Sequence, residues 1–186
     1  MQLHLGSITP KIFLEEYWQK KPLLIRQGFK NFQDFLSAEE LAGLAMEDTV
    51  ESRIIYKKNN KWQADFGPFE SYDQRGKSDW SLVIQALNHW VPEVSDLIKV
   101  FDFIPRWRFD DVMTSFATPG GSVGPHIDTY DTFICQGSGK RHWRVGDRGN
   151  HKQFAAHPAL RHTEAFDPII DEVLNAGDIL YIPPGF

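Results

Sequence analysis

Cysteine, long apolar runs and positive net charge are what this sequence lacks. Cys135 is the only cysteine among 186 residues, which excludes an internal disulfide and a cysteine-based zinc site. No apolar run approaches the ~20 residues that cross a bilayer, and Met1–Leu5 lacks the basic and apolar segments that begin a signal peptide. Hydrophobic residues make up 41% of the chain, which excludes a disordered or fibrous protein. We therefore predict a globular, cytoplasmic protein.

The net charge of −5 argues against a globally basic nucleic-acid-binding protein. Between Lys140 and His162, however, the chain has six lysine and arginine residues, a single acid and four of its seven histidines. Two interpretations of this basic stretch stay open: a solvated loop face, or a patch that meets an anionic partner such as RNA or a ribosome.

The sequence predicts an α+β fold with a mainly β core, divided into a helical and mixed layer (1–105) and a β-barrel core (106–186). The layer is predicted to contain a helix from Thr9 to Pro22, a strand Leu23–Ile25, a helix from Ser37 to about Met46, a hairpin Arg53–Phe66, and helices Ser78–Trp90 and Pro92 to about Val100. The barrel strands are predicted at Asp111–Ala117, His126–Thr129, Asp131–Gln136, Lys140–Val145, Ile169–Leu174 and Asp178–Ile182, with a tight turn at Gly137–Gly139.

The segment Gly120–Asp128 carries the chemistry that the sequence suggests. His126 and Asp128 lie two apart, so a strand would project both side chains to one face. An imidazole and a carboxylate side by side, with one further histidine, form the facial triad of non-haem Fe(II) oxygenases. Taken alone, the His126–Asp128 pair is weak evidence for a metal site, because a surface strand also presents such pairs by chance.

Further strings turn the pair into a family resemblance. They are Trp18–Pro22, Leu41–Glu47, Gly67–Tyr72, Asn88–Trp90, Gly124–Asp128, Trp143–Gly146 and Gly177–Phe186, the last reading Gly-Asp-Ile-Leu-Tyr-Ile-Pro-Pro-Gly-Phe. Through these strings the chain resembles the JmjC-type ribosomal oxygenases, which depend on Fe(II) and 2-oxoglutarate.

The resemblance implies a cupin fold, a double-stranded β-helix, of which the last strands are missing here. It also implies hydroxylation of an arginine side chain of large-subunit ribosomal protein L-sixteen in the cytoplasm, with release of succinate and carbon dioxide. It further implies ribosome or RNA proximity, no membrane partner, and a homodimer whose dimer-forming part would follow Phe186.

The same resemblance implies roles for named residues. His126 and Asp128 match the first two metal ligands, and Arg141 matches the residue that binds the 2-oxoglutarate carboxylate. Ser115, on the strand before the metal loop, is a candidate second contact to 2-oxoglutarate, although a small core-facing residue would also suit that position. Tyr130 and Asp131 are candidate substrate contacts, although a carboxylate at Asp131 also suits a strand end. No catalytic residue beyond the metal ligands is implied.

Three points about the site stay open at the level of sequence. Lys140, His142 and Arg144 compete with Arg141, but strand alternation puts Arg141 on one face with Trp143, a packing residue, and the competitors on the other. The third metal ligand is expected just after Phe186, so we expect this chain to bind iron weakly and to turn over poorly or not at all. The alternatives to the oxygenase are a non-catalytic cupin-like module that binds a ribosomal or RNA surface, and a metal-dependent cupin of another reaction type.

Overall fold

The computed structural model describes residues 2–186, and strands dominate this part of the chain. The strands are β1 (Leu23–Ile25), β2 (Ser52–Lys58), β3 (Lys61–Phe66), β4 (Trp80–Ile84), β5 (Thr114–Ala117), β6 (Thr132–Cys135), β7 (Lys140–Gly146), β8 (Gln153–His157), β9 (Leu160–Thr163), β10 (Pro168–Asn175) and β11 (Ile179–Ile182). The helices are α1 (Pro10–Ile12), which continues as a π-helical turn (Phe13–Tyr17), α2 (Ala38–Leu44), α3 (Ser95–Lys99) and 3-10 turns at Leu87–His89, Pro92–Val94 and Arg106–Arg108. Within residues 2–186, the helices are all too short or too polar to cross a membrane.

Two compact units are assembled from separated stretches of the chain. The terminal unit combines the residues up to Asp34 with His126–Lys152 and Thr163–Phe186. The central unit combines Phe35–Pro125 with Gln153–His162. The proposed division of the chain at residue 105 stays a prediction.

The terminal unit contains two antiparallel sheets, ordered β1-β11-β6 and β10-β7. Their facing sides share one apolar cluster, in which Val145 of β7, Leu174 of β10 and Leu180 of β11 are buried. The Gly137–Gly139 turn therefore leads from β6 in one sheet to β7 in the other, and the strands that it joins do not pair as a hairpin. The strands predicted around it, at Asp131–Gln136 and Lys140–Val145, are confirmed to within a residue or two.

The N-terminal helix covers the outer side of the three-stranded sheet. Thr9 caps α1 by accepting a hydrogen bond from the Ile12 amide, with Pro10 in the first turn, as predicted. Phe13 is fully buried, and its ring meets that of Tyr181 edge-on with centroids 4.9 Å apart. Burial of these large rings fixes the helix on the sheet.

Asp178 fixes the corner between β10 and β11. Its buried carboxylate accepts hydrogen bonds from the amides of Asn175 and Gln27, each at 2.9 Å, and from the Arg26 guanidinium at 2.8 Å. Burial alone would raise the pKa of Asp178, but these hydrogen bonds outweigh it and hold the pKa below its ordinary value. The corner thus depends on a charged carboxylate.

Replacing Asp178 with alanine should lower the free energy of unfolding by about 2–4 kcal/mol, because three partners lose a charged acceptor. Because the folded pKa is depressed, the contribution of Asp178 is complete above about pH 4 and is lost as the pH falls through the folded pKa. Urea unfolding at pH 7 and at acidic pH measures both effects, with the exposed Asp167→Ala as control. An equal loss in the control would contradict this assignment.

The central unit is built on the antiparallel sheet β3-β2-β4-β5. The predicted hairpin is confirmed: Asn59 and Asn60 both have positive φ, as a two-residue turn between β2 and β3 requires. The capping box is also confirmed, since Ser37 and Glu40 exchange hydrogen bonds at the start of α2.

The helix predicted at Ser78–Trp90 is wrong, because Trp80–Ile84 is strand β4. This strand lies between β2 and β5, and Ser81 to Ile84 are all buried. A short run buried on both faces has no strand alternation, so periodicity does not separate it from a buried helix. The second predicted helix is confirmed in part, as the 3-10 turn Pro92–Val94 followed by α3.

Candidate functional site

The segment that carries His126 and Asp128 is irregular, so the strand predicted at His126–Thr129 is wrong. A hydrogen bond does reach it from the turn after β11 (Pro184–Gly185, called the terminal turn): the Gly185 amide donates to the Asp128 carbonyl at 2.9 Å. One such bond holds a segment in place without making it part of a sheet ladder.

The two candidate ligands nevertheless converge. His126 Nε2 and Asp128 Oδ2 are 3.6 Å apart, and their side chains are 40% and 35% exposed. Metal–ligand bonds of about 2.1 Å place two ligand atoms on one ion no more than about 4.2 Å apart. The separation fits a shared metal ion, and the partial exposure leaves room for exogenous ligands.

Within residues 2–186, no three histidine, cysteine, aspartate or glutamate side chains gather into a metal-binding group. The other histidines of the basic stretch have local partners: His151 Nε2 lies 2.7 Å from the Asp147 carbonyl, and His157 Nδ1 accepts from the Ala159 amide at 3.2 Å. A third ligand just after Phe186 stays a prediction.

His162 is buried beside the glycine-rich segment, and it explains why that segment needs a glycine at position 124. Its Nε2 lies 3.0 Å from the Val123 carbonyl. A Cβ built on Gly124, which has φ +84°, would lie 2.2 Å from the imidazole. The ring therefore requires glycine there on grounds of both space and conformation.

Arg141 points to the inner side of the terminal unit. Along β7 the exposed residues alternate with less exposed ones, and Arg141 and Trp143 lie on the same face as buried Val145. Burial lowers the pKa of Arg141 from its ordinary value. The competing side chains Lys140, His142 and Arg144 face outward, and His142 is paired with Asp171 across the sheet.

Two further polar atoms lie on this inner side. Thr132 shares a face of β6 with Ile134, which belongs to the apolar cluster, and Trp143 packs against the same cluster. In the described part of the chain, Thr132 Oγ1 and Trp143 Nε1 are both buried without a hydrogen-bond partner. Since buried polar groups are normally paired, these two donors, on the same inner side as Arg141, fit a bound dicarboxylate.

Sequence reasoning did not single out Thr132, and it treated Trp143 as packing alone. The strand phase of Arg141 was predictable, but the burial of Thr132 Oγ1 on β6 and Trp143 Nε1 on β7 was not, because it depends on how the two sheets face each other. A threonine in phase with an inward isoleucine on β6 is the one available signal.

The other predicted site residues lie in different surroundings. Ser115 is exposed on β5 of the central unit, opposite Val83 in the sheet register. Tyr130 is 62% exposed, which suits a substrate contact. Asp131 binds within the protein: its carboxylate accepts hydrogen bonds from the Tyr181 phenol and from Gln19 Nε2. The roles of these residues stay predictions.

The basic stretch is not one continuous loop, because β8 and β9 form a hairpin that the sequence reasoning missed. Several of its cations are also used locally. Lys152 pairs with Glu164 at 3.2 Å, and Arg148 donates to the carbonyls of Gln19 and Pro184. The ion pair of Lys152 offsets one charge of the stretch, while the bonds of Arg148 fix the position of its guanidinium without neutralising it.

Comparison with known families defines the class. A family model described as JmjC domain matches residues 96–186, and this part of the chain belongs to that family. Among its relatives is the ribosomal protein uL16 3-hydroxylase of Escherichia coli (strain K12), 54% identical over 174 residues, which are 94% of this chain and 47% of the relative. A probable ribosomal oxygenase of Haemophilus influenzae is 41% identical over 180 residues, or 95% of this chain and 45% of the relative.

Solved structures of E. coli YcfD have the same fold. The X-ray structure matches with a TM-score of 0.95 and 52% identity, covering 100% of this chain and 50% of that chain. A complex of YcfD with cobalt and 2-oxoglutarate matches with a TM-score of 0.89 and 50% identity, covering 100% and 47%. The fold prediction, α+β with a mainly β cupin core, is confirmed, and the chain spans about half the length of these relatives.

Proposed function

We propose that this chain carries the metal and 2-oxoglutarate site of an oxygenase that hydroxylates an arginine side chain of ribosomal protein uL16. The observation that carries the proposal is the approach of His126 and Asp128 to 3.6 Å in a unit whose Arg141 points inward. The name of the E. coli relative supports the substrate, and the cobalt and 2-oxoglutarate complex of YcfD supports the cofactors.

Fe(II), with 2-oxoglutarate and dioxygen, would supply the oxidant for C–H hydroxylation and leave succinate and carbon dioxide as products. His126 and Asp128 would hold the ion on one side and leave its other positions open. Arg141 would bind the distal carboxylate through two parallel hydrogen bonds, with Thr132 and Trp143 as further donors. The apolar cluster behind these residues would exclude water.

Ser115, Tyr130 and Asp131 keep secondary roles in this proposal. Ser115 would assist 2-oxoglutarate binding, and Tyr130 would contact the substrate arginine with its exposed ring. Asp131 would act on the substrate only through exchange of its present partners, since Tyr181 and Gln19 occupy its carboxylate. Homodimer formation, proximity to the ribosome and a cytoplasmic location belong to the proposal as well.

The proposal is tested by incubating the chain with Fe(II), 2-oxoglutarate and a uL16 peptide, and by measuring succinate and peptide mass. We expect one oxygen atom to be added to an arginine, more slowly than by the E. coli relative, because two of three expected ligands lie in residues 2–186. Formation of succinate with an unchanged peptide mass would refute uL16 as the substrate. No succinate from this chain and none from a chain extended past Phe186 would refute the oxygenase and favour the RNA-binding module suggested by the basic stretch.

A further inference from the structure

Hydrogen bonds hold both ends of the segment Asp128–Asp131. At its first residue, the carbonyl of Asp128 accepts the Gly185 amide at 2.9 Å. At its last residue, the carboxylate of Asp131 accepts from the Tyr181 phenol and from Gln19 Nε2, the latter at 3.1 Å. The segment that carries a candidate metal ligand is therefore positioned by partners distant in sequence.

Arg148 connects these two attachments. Its Nη2 donates to the carbonyl of Pro184 at 2.9 Å and to that of Gln19 at 3.2 Å. Its guanidinium lies 4.8 Å from the centre of the Phe186 ring. A Cβ built on Gly185 would lie 3.7 Å from Arg148 Nε, so the side chain also lies along the turn backbone.

Gln19 completes the connection. It has φ +59°, in the left-handed region that costs energy for a residue other than glycine. Its amide donates to the Tyr181 phenol oxygen at 2.8 Å, while its side chain reaches Asp131 and its carbonyl receives Arg148. Contacts to its amide, its side chain and its carbonyl thus hold Gln19 in this conformation.

The Tyr181 phenol, which contacts both Gln19 and Asp131, is suited to act as a permanent hydrogen-bond donor. Tyr181 is fully buried. Burial, reinforced by the hydrogen bond to Asp131, raises the pKa of Tyr181 above its ordinary value. The phenol therefore keeps its proton and its bond to Asp131 across the physiological pH range.

We propose that Arg148 is a positioning residue for the metal site. By binding the Pro184 and Gln19 carbonyls together, it holds the terminal turn against Asp128 and fixes the segment Asp128–Asp131 at both ends. The expected effect of Arg148 on metal affinity rests on the proposed function, whereas its expected effect on the bond between the terminal turn and Asp128 does not.

Amide hydrogen exchange tests the backbone part without any metal. In the ¹⁵N-labelled chain, Arg148→Gln should speed exchange of the Gly185 amide by about tenfold or more, because the turn loses its attachment and opens more often. Arg144→Gln is the matched control, since Arg144 lies on the outer face of β7. Arg148→Lys should give an intermediate rate, because an ammonium cannot present a planar pair of donors to two carbonyls. Unchanged exchange in Arg148→Gln, or an equal rise in the control, would overturn the proposal.

Cobalt(II) titration tests the metal part. Arg148→Gln should weaken cobalt binding by about 10- to 100-fold, as loss of groups that orient a ligand does, while the thermal midpoint and the affinity of Arg144→Gln stay close to those of the unchanged chain. Full cobalt affinity in Arg148→Gln would overturn the role in the metal site. If the unchanged chain binds no cobalt, the proposed function fails, and the exchange rates still decide whether Arg148 holds the turn.

Discussion

Replacing Arg141 with methionine should weaken 2-oxoglutarate binding by about 30-fold or more. The reason is that loss of one partner of a buried charge pair costs about 2–5 kcal/mol. Arg141 is the basic residue of β7 that lies on the inner face with Trp143 and Val145. Methionine keeps much of the length and apolar character of the side chain, so the fold should persist.

Calorimetric titration of 2-oxoglutarate in the presence of cobalt(II) measures this effect. Arg144→Met is the matched control, with the same substitution on the outer face of the same strand. Arg141→Lys should fall between the two, because lysine keeps the charge and loses the two parallel hydrogen bonds. Equal losses in Arg141→Met and Arg144→Met would show that the effect comes from net charge, contrary to the assignment of Arg141.

Replacing His126 with alanine should abolish measurable binding of a divalent metal ion. The imidazole Nε2 is 3.6 Å from Asp128 Oδ2, and a single carboxylate left exposed to water binds such an ion weakly. His142→Ala is the control, since His142 lies on the outer face of β7 beside Asp171. Cobalt(II) titration followed by visible absorption separates the two variants. Unchanged cobalt binding in His126→Ala would show that the ion is held elsewhere.

Much of the terminal unit was predictable because local signals there agree with the fold. Alternation along β7 assigned Arg141 to the inner face, and the capping residue Thr9 located the start of α1. In these cases the residue's own neighbours in sequence determine its orientation. Such information survives in a single sequence.

Other features depend on contacts between residues far apart in sequence. Trp80–Ile84 becomes a strand because β2 and β5 flank it, which its apolar run alone does not reveal. The need for glycine at position 124 comes from the ring of His162, which lies far along the chain. The irregular course of His126–Thr129 is likewise not visible in the sequence. The Asp128 carbonyl accepts the Gly185 amide, and the side chains of His126 and Asp128 converge although the predicted strand does not form.

In the proposed function, His126, Asp128 and Arg141 bind a metal ion and 2-oxoglutarate together. The most direct test is anaerobic addition of Fe(II) and 2-oxoglutarate to the chain, followed by its visible spectrum. We expect a charge-transfer band that saturates with 2-oxoglutarate, disappears in His126→Ala and needs far more 2-oxoglutarate in Arg141→Met. A chain that gives no band at any concentration, or the same band in His126→Ala, would contradict it.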